Sequence, residues 1–447
     1  MTKTSRKSRA LPSPEQLEFQ DWQFGMFLHF GIRSFYEGHR SWDGKPMSPE
    51  AFTPMQLDCN QWMLAAKQAG MTYAVLTAKH HDGFANWPSK YSNFSVAASP
   101  WKSGRGDVVR EFVDACAAHG IAPGLYYSPA EWGDSQFTDD PKAYDEYFIG
   151  QVSELLSNYG EIRMIWLDGC GSEDHEYDWP RIIAEVRRLQ PRIMIFGSVD
   201  PDYRWVGNEA GLAPPDCRNL VDEVPFSVLT DNKQSISGAG PRWLPAECDC
   251  TIRDATWFHC DADAESVKSL EELMGLYYYS VGRGANLLLN LAPDRRGLLG
   301  EADTKRLAAM GAEIRRRFDA PLATLGNCVQ THLRWQYAPA DSATDAHLRT
   351  ASEMEADSYD VGPFFLVDHA VIAEDLRTGE HIRRFRVEIE PYPHGSWLTV
   401  YEGQAVGHKA ICPFPLVRAR KVAIEVTEAD GPVTLRSLEF HNSARGE

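Results

Sequence analysis

Four short apolar runs in this chain close on residues that can bind hydroxyls, move protons or carry charge. They are Leu28-His29-Phe30-Gly31, Lys79-His80-His81-Asp82-Gly83-Phe84, Tyr126-Tyr127-Ser128-Pro129 and Trp166-Leu167-Asp168-Gly169. One such run means little: a lone histidine is commonly a structural donor, and a strand-end aspartate commonly caps the next helix. Four strand ends together on one face are harder to dismiss. His80 and His81 are adjacent, so both reach it only if the chain has already turned out of its strand. Metal-dependent hydrolysis calls for His-x-His or His-Glu-x-x-His, and neither occurs, so no metal and no other cofactor is expected. Gly-x-Ser-x-Gly is also absent.

Histidines, tryptophans and carboxylates together suit sugar cleavage, in which polar groups satisfy ring hydroxyls and aromatic rings cover C–H faces. Glycoside hydrolysis needs two carboxylates, one as nucleophile or base and one as acid. Asp168 follows an apolar strand, which fixes it and removes part of its solvation. The second carboxylate has two candidates, Glu209 in Arg204-Trp205-Val206-Gly207-Asn208-Glu209 and Glu247 in Pro245-Ala246-Glu247-Cys248-Asp249. The residue chemistry does not choose between them.

The elements that must hold these residues alternate. Strand-like runs at 26–30, 73–77, 122–127, 164–167, 193–196 and 286–290 are interleaved with helical patterns at 61–68, 108–118, 143–159, 181–189, 267–281 and 304–317. Such alternation predicts right-handed βαβ units and a parallel sheet. Seven or so units in about 300 residues, with no glycine-rich phosphate loop opening the first, predict a (β/α)8-like TIM barrel, whose strand C-termini gather the active groups. Beyond about residue 320 the runs become short and strand-like (364–367, 383–389, 397–401, 422–426 and 434–440), which predicts an all-β sandwich. The expected organisation is a flexible basic leader over 1–14, a catalytic barrel over 15–319 and a C-terminal sandwich over 320–447.

These residues resemble glycoside hydrolase family 29, the retaining α-L-fucosidases, from about Phe24 to Arg317 and more weakly beyond. The pieces that carry the resemblance are Phe24 to Gly31, Thr77 to Phe84, Trp166 to Gly169, Arg204 to Glu209, Pro245 to Asp249 and Asn286 to Asn290. Val206-Gly207-Asn208-Glu209 is similar to the branch that prefers α-1,3/1,4-linked fucose. The resemblance implies a retaining exo-glycosidase with Asp168 as nucleophile and Glu209 as acid/base, with Glu247 as the second candidate for that role. It implies that His29, Trp42, His80, His81, Tyr127 and Arg253 bind the fucose and that Trp257 packs on its methyl-bearing side. One position departs: Ser41-Trp42 stands where the branch has Glu-Trp, so a charge-assisted hydrogen bond to the sugar is missing. Another is Ala130-Glu131-Trp132, where an aromatic is expected directly after Pro129. Both leave open a related 6-deoxy or pentopyranose sugar, and a glycan-binding protein on an inactive barrel is the reading from another class.

Composition limits the partners. The 447 residues carry 45 Lys+Arg against 63 Asp+Glu, a formal net charge of −18. That balance opposes a sequence-independent grip on nucleic acid and docking on anionic lipid. A fucosylated oligosaccharide or glycoconjugate is the expected partner, and the oligomeric state is not legible. No run reaches the roughly 18 apolar residues of a membrane span, and no apolar core follows the basic residues of the N-terminus. Nine scattered cysteines without paired zinc-site spacing read as free thiols in a reducing compartment, hence a cytoplasmic location.

Overall fold

The computed structural model describes residues 10–37, 45–132, 137, 139–172, 175–222, 224, 241–254, 256–263, 265–339 and 363–444. The chain forms two compact units. The first comprises Met1–Leu212, Leu220–Leu276 and Asn286–Gly311, the second Ala213–Asn219, Tyr277–Ala285 and Ala312–Glu447. Of the leader expected over 1–14, residues 1–9 lie outside the described residues, and Ser13 and Pro14 already open a helix.

Eight strands among the described residues build the main sheet of the first unit: β1 (Phe24–Leu28), β2 (Tyr73–Lys79), β3 (Ala122–Tyr127), β4 (Met164–Trp166), β5 (Met194–Phe196), β6 (Arg204–Trp205), β7 (Ala246–Thr251) and β8 (Asn286–Asn290). Their order is β5-β4-β3-β2-β1-β8-β7-β6, and every neighbouring pair is parallel. A parallel bridge between Phe196 and Tyr203 joins the two ends of that order, so the sheet closes on itself. The α-helices named among the described residues are α1 (Pro14–Trp22), α2 (Cys59–Ala69), α3 (Val108–His119), α4 (Pro141–Asn158), α5 (Trp179–Leu189), α6 (Leu270–Tyr279) and α7 (Glu301–Phe318). Asp58, Asp107, Asp140 and Asp178 cap α2 to α5 by accepting backbone N–H groups that the helices leave unpaired. The helix after β4 is thus capped by Asp178, and Asp168 is left for other work.

The barrel is filled by side chains, as its strand alternation requires. Phe27, Tyr73, Val75, Tyr126, Met164, Trp166, Met194, Phe196, Tyr203 and Leu288 form one buried cluster, to which α1 adds Phe19. Gly25 on β1 makes room for this filling, because a Cβ there would lie 2.5 Å from the Tyr73 ring. Tyr126, Trp166 and Phe196 stack in series, with centroids 5.6 and 3.7 Å apart.

The second unit is antiparallel: β9 (Ala323–Thr324), β10 (Val329–Thr331), β11 (Arg334–Tyr337), β12 (Phe365–Glu374), β13 (Ile382–Pro391), β14 (Leu398–Gly403), β15 (Ala410–Ala429) and β16 (Leu435–His441). The long β15 serves both layers. Its first half pairs with β12, and its second half with β11 and β13. Alternating apolar residues, among them Phe365, Val367, Phe385, Val387, Val422, Ile424 and Phe440, make the sandwich core. Phe365 lies in that core and Tyr401 packs against it, while Phe364 is buried against Tyr392 at 4.5 Å and Trp397 lies under the Arg334 guanidinium at 4.3 Å. All nine cysteines are free thiols, seven of them buried.

Candidate active site

Six of the expected site residues, Asp168, Glu209, His29, His80, His81 and Trp257, are gathered at the C-terminal mouth of the barrel. Asp168 lies just beyond β4. Its Oδ2 accepts the Tyr126 hydroxyl at 2.9 Å, its Oδ1 accepts the Cys170 backbone N–H at 2.9 Å, and His81 Nε2 lies 3.6 Å from Oδ2. Burial pushes its pKa up. His81, the Cys170 N–H and the Tyr126 hydroxyl outweigh this, and the carboxyl lies below its ordinary value. Asp168 is therefore an ionised carboxylate in a low-dielectric setting, with its lone pairs partly engaged.

Both histidines of the adjacent pair reach the mouth because β2 slips register before they begin. Thr77 pairs with Tyr126 and Lys79 with Tyr127, so Ala78 is an extra residue that re-aims the side chains after it. His80 stacks on Tyr126 (5.3 Å, 10°) and meets His29 edge-on at 5.6 Å. His81 Nδ1 lies 2.5 Å from Ser128 Oγ. The Ser128 hydroxyl donates to the Ala130 carbonyl, so it accepts the Nδ1 proton, and Nε2 is turned toward Asp168.

His29 is fixed from the other side. Its Nδ1 bonds Asn290 Oδ1 at 2.8 Å, while Asn290 Nδ2 donates to the Trp257 carbonyl at 2.8 Å. Burial holds the His29 pKa down to about 3, although Asn290 and Asp168 oppose it, so the ring is neutral and Nε2 is an acceptor. His80 is also held neutral by burial, with His81, His29 and Arg33 adding to the effect. Its buried Nδ1 has no hydrogen-bond partner among the described residues.

Glu209 follows β6 on an exposed loop. Partial desolvation and the charge of Asp168 raise its pKa, and a side-chain hydrogen bond with Trp257 only partly opposes them. Trp257 thus touches both ends of the site, since its ring also lies 5.0 Å from His29. Phe258 joins this wall, edge-on to His29 and His80 at 5.4 and 5.1 Å.

Three expected residues are placed elsewhere, and one lies outside the described residues. Tyr127 points out of the barrel: its hydroxyl donates to Gln151 at 2.9 Å, its ring stacks on Phe148, and Lys79 Nζ sits 4.3 Å over it. Strand alternation gives the inward direction to its neighbour Tyr126. Glu131, beside the expected aromatic position, is the buried partner of Lys79 at 2.8 Å. Arg253 is clamped by Asp303 (2.9 and 3.1 Å) and Asp263 (3.2 Å), so its guanidinium is already committed. Trp42, with Ser41, lies outside the described residues.

Glu247 is inside the barrel core, 1% exposed, where its two oxygens accept the Tyr73 hydroxyl (2.8 Å) and the Trp166 indole N–H (2.9 Å). With both oxygens engaged below the mouth, it cannot protonate a leaving group. Burial lifts its pKa to about 7, against the pull of those two donors. The folded value exceeds the unfolded 4.5, so its contribution to stability is full below about pH 4.5 and is lost as pH rises through about 7. Glu247→Gln cannot ionise. It should narrow the fall in Tm between about pH 5 and pH 8 relative to the unaltered protein, as read by calorimetry at both pH values. An equal fall in both proteins would show that Glu247 does not titrate in that window.

The tyrosine pair gives a second test. Tyr126→Phe removes a hydroxyl that bonds an ionised carboxylate, so kcat/KM should drop about ten- to a hundredfold. Tyr127→Phe should leave turnover near its original value and cost about 1 kcal/mol of stability, from the lost bond to Gln151. Steady-state kinetics and urea unfolding on both variants check the assignment.

Two carboxylates whose pKa values are pushed in opposite directions, set at the mouth of a (β/α)8 barrel beside neutral His29 and His80 and the Trp257 ring, define a glycoside-cleaving type of site. Comparison with known proteins agrees. The family model for α-L-fucosidase matches residues 1–317. The chain is 35% identical over 438 residues to putative α-L-fucosidase 1 of Oryza sativa subsp. japonica, covering 94% of this chain and 83% of that one. It superposes on a crystal structure of a putative α-L-fucosidase from Bacteroides thetaiotaomicron with a TM-score of 0.81 and 32% identity, covering 97% of each chain. It also superposes on a point mutant of a Ruminococcus gnavus family 29 fucosidase in complex with fucose, with a TM-score of 0.76, 25% identity, and 99% and 95% coverage. The chain belongs to the α-L-fucosidase family, glycoside hydrolase family 29. It is a glycoside hydrolase. No helix among the described residues is long and apolar enough to cross a membrane.

Proposed function

We propose that this protein is a retaining exo-glycosidase that releases terminal α-L-fucose, α-1,3/1,4-linked, from fucosylated oligosaccharides. The observation that carries the reading is the divergence of two carboxylates: Asp168 is held ionised while Glu209 is held toward its acid form. In the first step an Asp168 oxygen attacks the anomeric carbon as the glycosidic C–O bond breaks, and the Glu209 proton passes to the leaving oxygen. In the second, Glu209 takes a proton from water, the water oxygen bonds the anomeric carbon, and Asp168 leaves. Neutral His29 and His80 accept or donate to ring hydroxyls, and Trp257 covers the methyl-bearing side. The two pKa directions imply a bell-shaped kcat/KM profile, its acid limb set by Asp168 and its base limb by Glu209.

The linkage rests on the Val206-Gly207-Asn208-Glu209 signature, and the nine free thiols support a reducing, cytoplasmic location. The test is a hydrolysis panel of α-1,2, α-1,3, α-1,4 and α-1,6 fucosides with the aryl fucoside and aryl glycosides of related 6-deoxy and pentopyranose sugars. Release of fucose from the branched 1,3 and 1,4 substrates is expected. Faster cleavage of another sugar would reassign the substrate, and binding without cleavage of any would leave a glycan-binding protein.

A further inference from the structure

Glu247 is not the only acid that β7 turns into the barrel. Asp249 lies two residues nearer the mouth on the same face and is 4% exposed. Its Oδ1 accepts the indole N–H of Trp205 at 2.7 Å. Burial and the charges of Glu209, Glu247 and Asp168 raise its pKa well above the ordinary carboxylate value, and the Trp205 N–H only partly opposes them. The acceptor for Trp205 is therefore a neutral carboxyl close to both catalytic candidates.

Trp205 matters because it stands at the base of the segment that carries Glu209. β6 is two residues long, and its pairing with β7 covers only Arg204 and Trp205. The Val206 N–H to Glu247 carbonyl bond (2.9 Å) continues that pairing one residue further. The chain then turns at Gly207, with φ +102°, a conformation that excludes most side chains. Asn208 ties the far side of the turn by donating to the Leu212 carbonyl at 2.8 Å. Glu209 stands between these ties on an exposed turn, steadied directly by Trp257. The seated indole of Trp205 is the side-chain anchor at the stem of that loop.

We propose that Asp249 is a positioning residue for Glu209, its buried carboxyl seating the Trp205 indole and so fixing the loop that presents the acid/base. The proposal rests on the reading of Glu209 as acid/base. It needs no direct contact between Asp249 and the substrate.

The test measures kcat/KM of the full chain on a branched fucosyl oligosaccharide and on a nitrophenyl fucoside, whose leaving group departs without a proton. Asp249→Leu should lower kcat/KM on the oligosaccharide about ten- to a hundredfold, and on the aryl substrate no more than about threefold. Asp249→Asn keeps an uncharged acceptor of the same shape and should recover most of the oligosaccharide rate. Trp205→Phe keeps an aromatic ring, smaller than the indole, and loses the N–H. It should reproduce the Asp249→Leu split, and it carries the test if Asp249→Leu does not fold. Equal losses on both substrates, tracking a fall in Tm, would reduce the bond to a structural tie and overturn the proposal. Glu209→Ala, run alongside, separates the two failures. If it shows no split, the acid/base reading falls; if it does and the Asp249 and Trp205 variants do not, only this inference falls.

Discussion

Asp168→Asn should yield a folded protein whose turnover is lower by on the order of 10^4-fold or more. The amide has the shape of the carboxylate and keeps one oxygen for the Cys170 N–H, so the loop beyond β4 retains its bond. What it loses is the charge and the nucleophilic lone pair. Neither His81 nor Tyr126 can replace them, since both serve to hold Asp168 ionised. Activity on the aryl fucoside, where leaving-group protonation is irrelevant, should fall as far as activity on oligosaccharides. Circular dichroism and a thermal scan check the fold, and burst-free kinetics on both substrates check the chemistry. Retention of more than about one part in a hundred of the rate would be far too much for a missing nucleophile.

Glu209→Ala should divide substrates that Asp168→Asn treats alike. A natural glycoside leaves as a poor alkoxide unless it is protonated, so kcat/KM should fall on the order of 10^2- to 10^4-fold. The aryl fucoside needs no proton in the first step, and its kcat/KM should change little. Its kcat should still fall, because water attacking the glycosyl-enzyme has lost its base. A small anion such as azide should restore that kcat by attacking in place of water. Equal losses on both substrates would remove Glu209 from the acid role. Glu247 is not placed to inherit it, with both its oxygens bonded in the core.

Much of the barrel was legible because its strands are bounded by helix caps and glycines at regular spacing. The runs at 122–127 and 286–290 match β3 and β8 residue for residue, and the helices differ from expectation by a few terminal residues. Three barrel elements are missing from the expected runs: α1, β6 and β7. α1 carries a capping box from Ser13 to Gln16, a signal present in the sequence but hidden behind the basic leader. β6 is two residues long, too short for any periodicity to mark it.

The site was legible where chemistry and position coincide, at His29, His80, His81 and Asp168, each at a strand end. It was not where direction decides. In Tyr126-Tyr127 the two types are identical, and only the phase of strand alternation in β3 against the rest of the barrel sets which one faces inward. Arg253 reads as a free cation until Asp263 and Asp303 are brought to it by the fold. Asn290 and Asp249 do their work only through partners distant in sequence, His29 and Trp205. A local pattern could not reveal those pairings, although the period-2 spacing of Glu247 and Asp249 put both on one face.

The central claim is a double displacement through Asp168, and the stereochemistry of the first product tests it most directly. Proton NMR of an α-fucoside hydrolysed with a large amount of enzyme, read before mutarotation, should show α-L-fucose forming first. If the β anomer appears first, water has attacked the anomeric carbon directly, and a covalent intermediate on Asp168 is excluded.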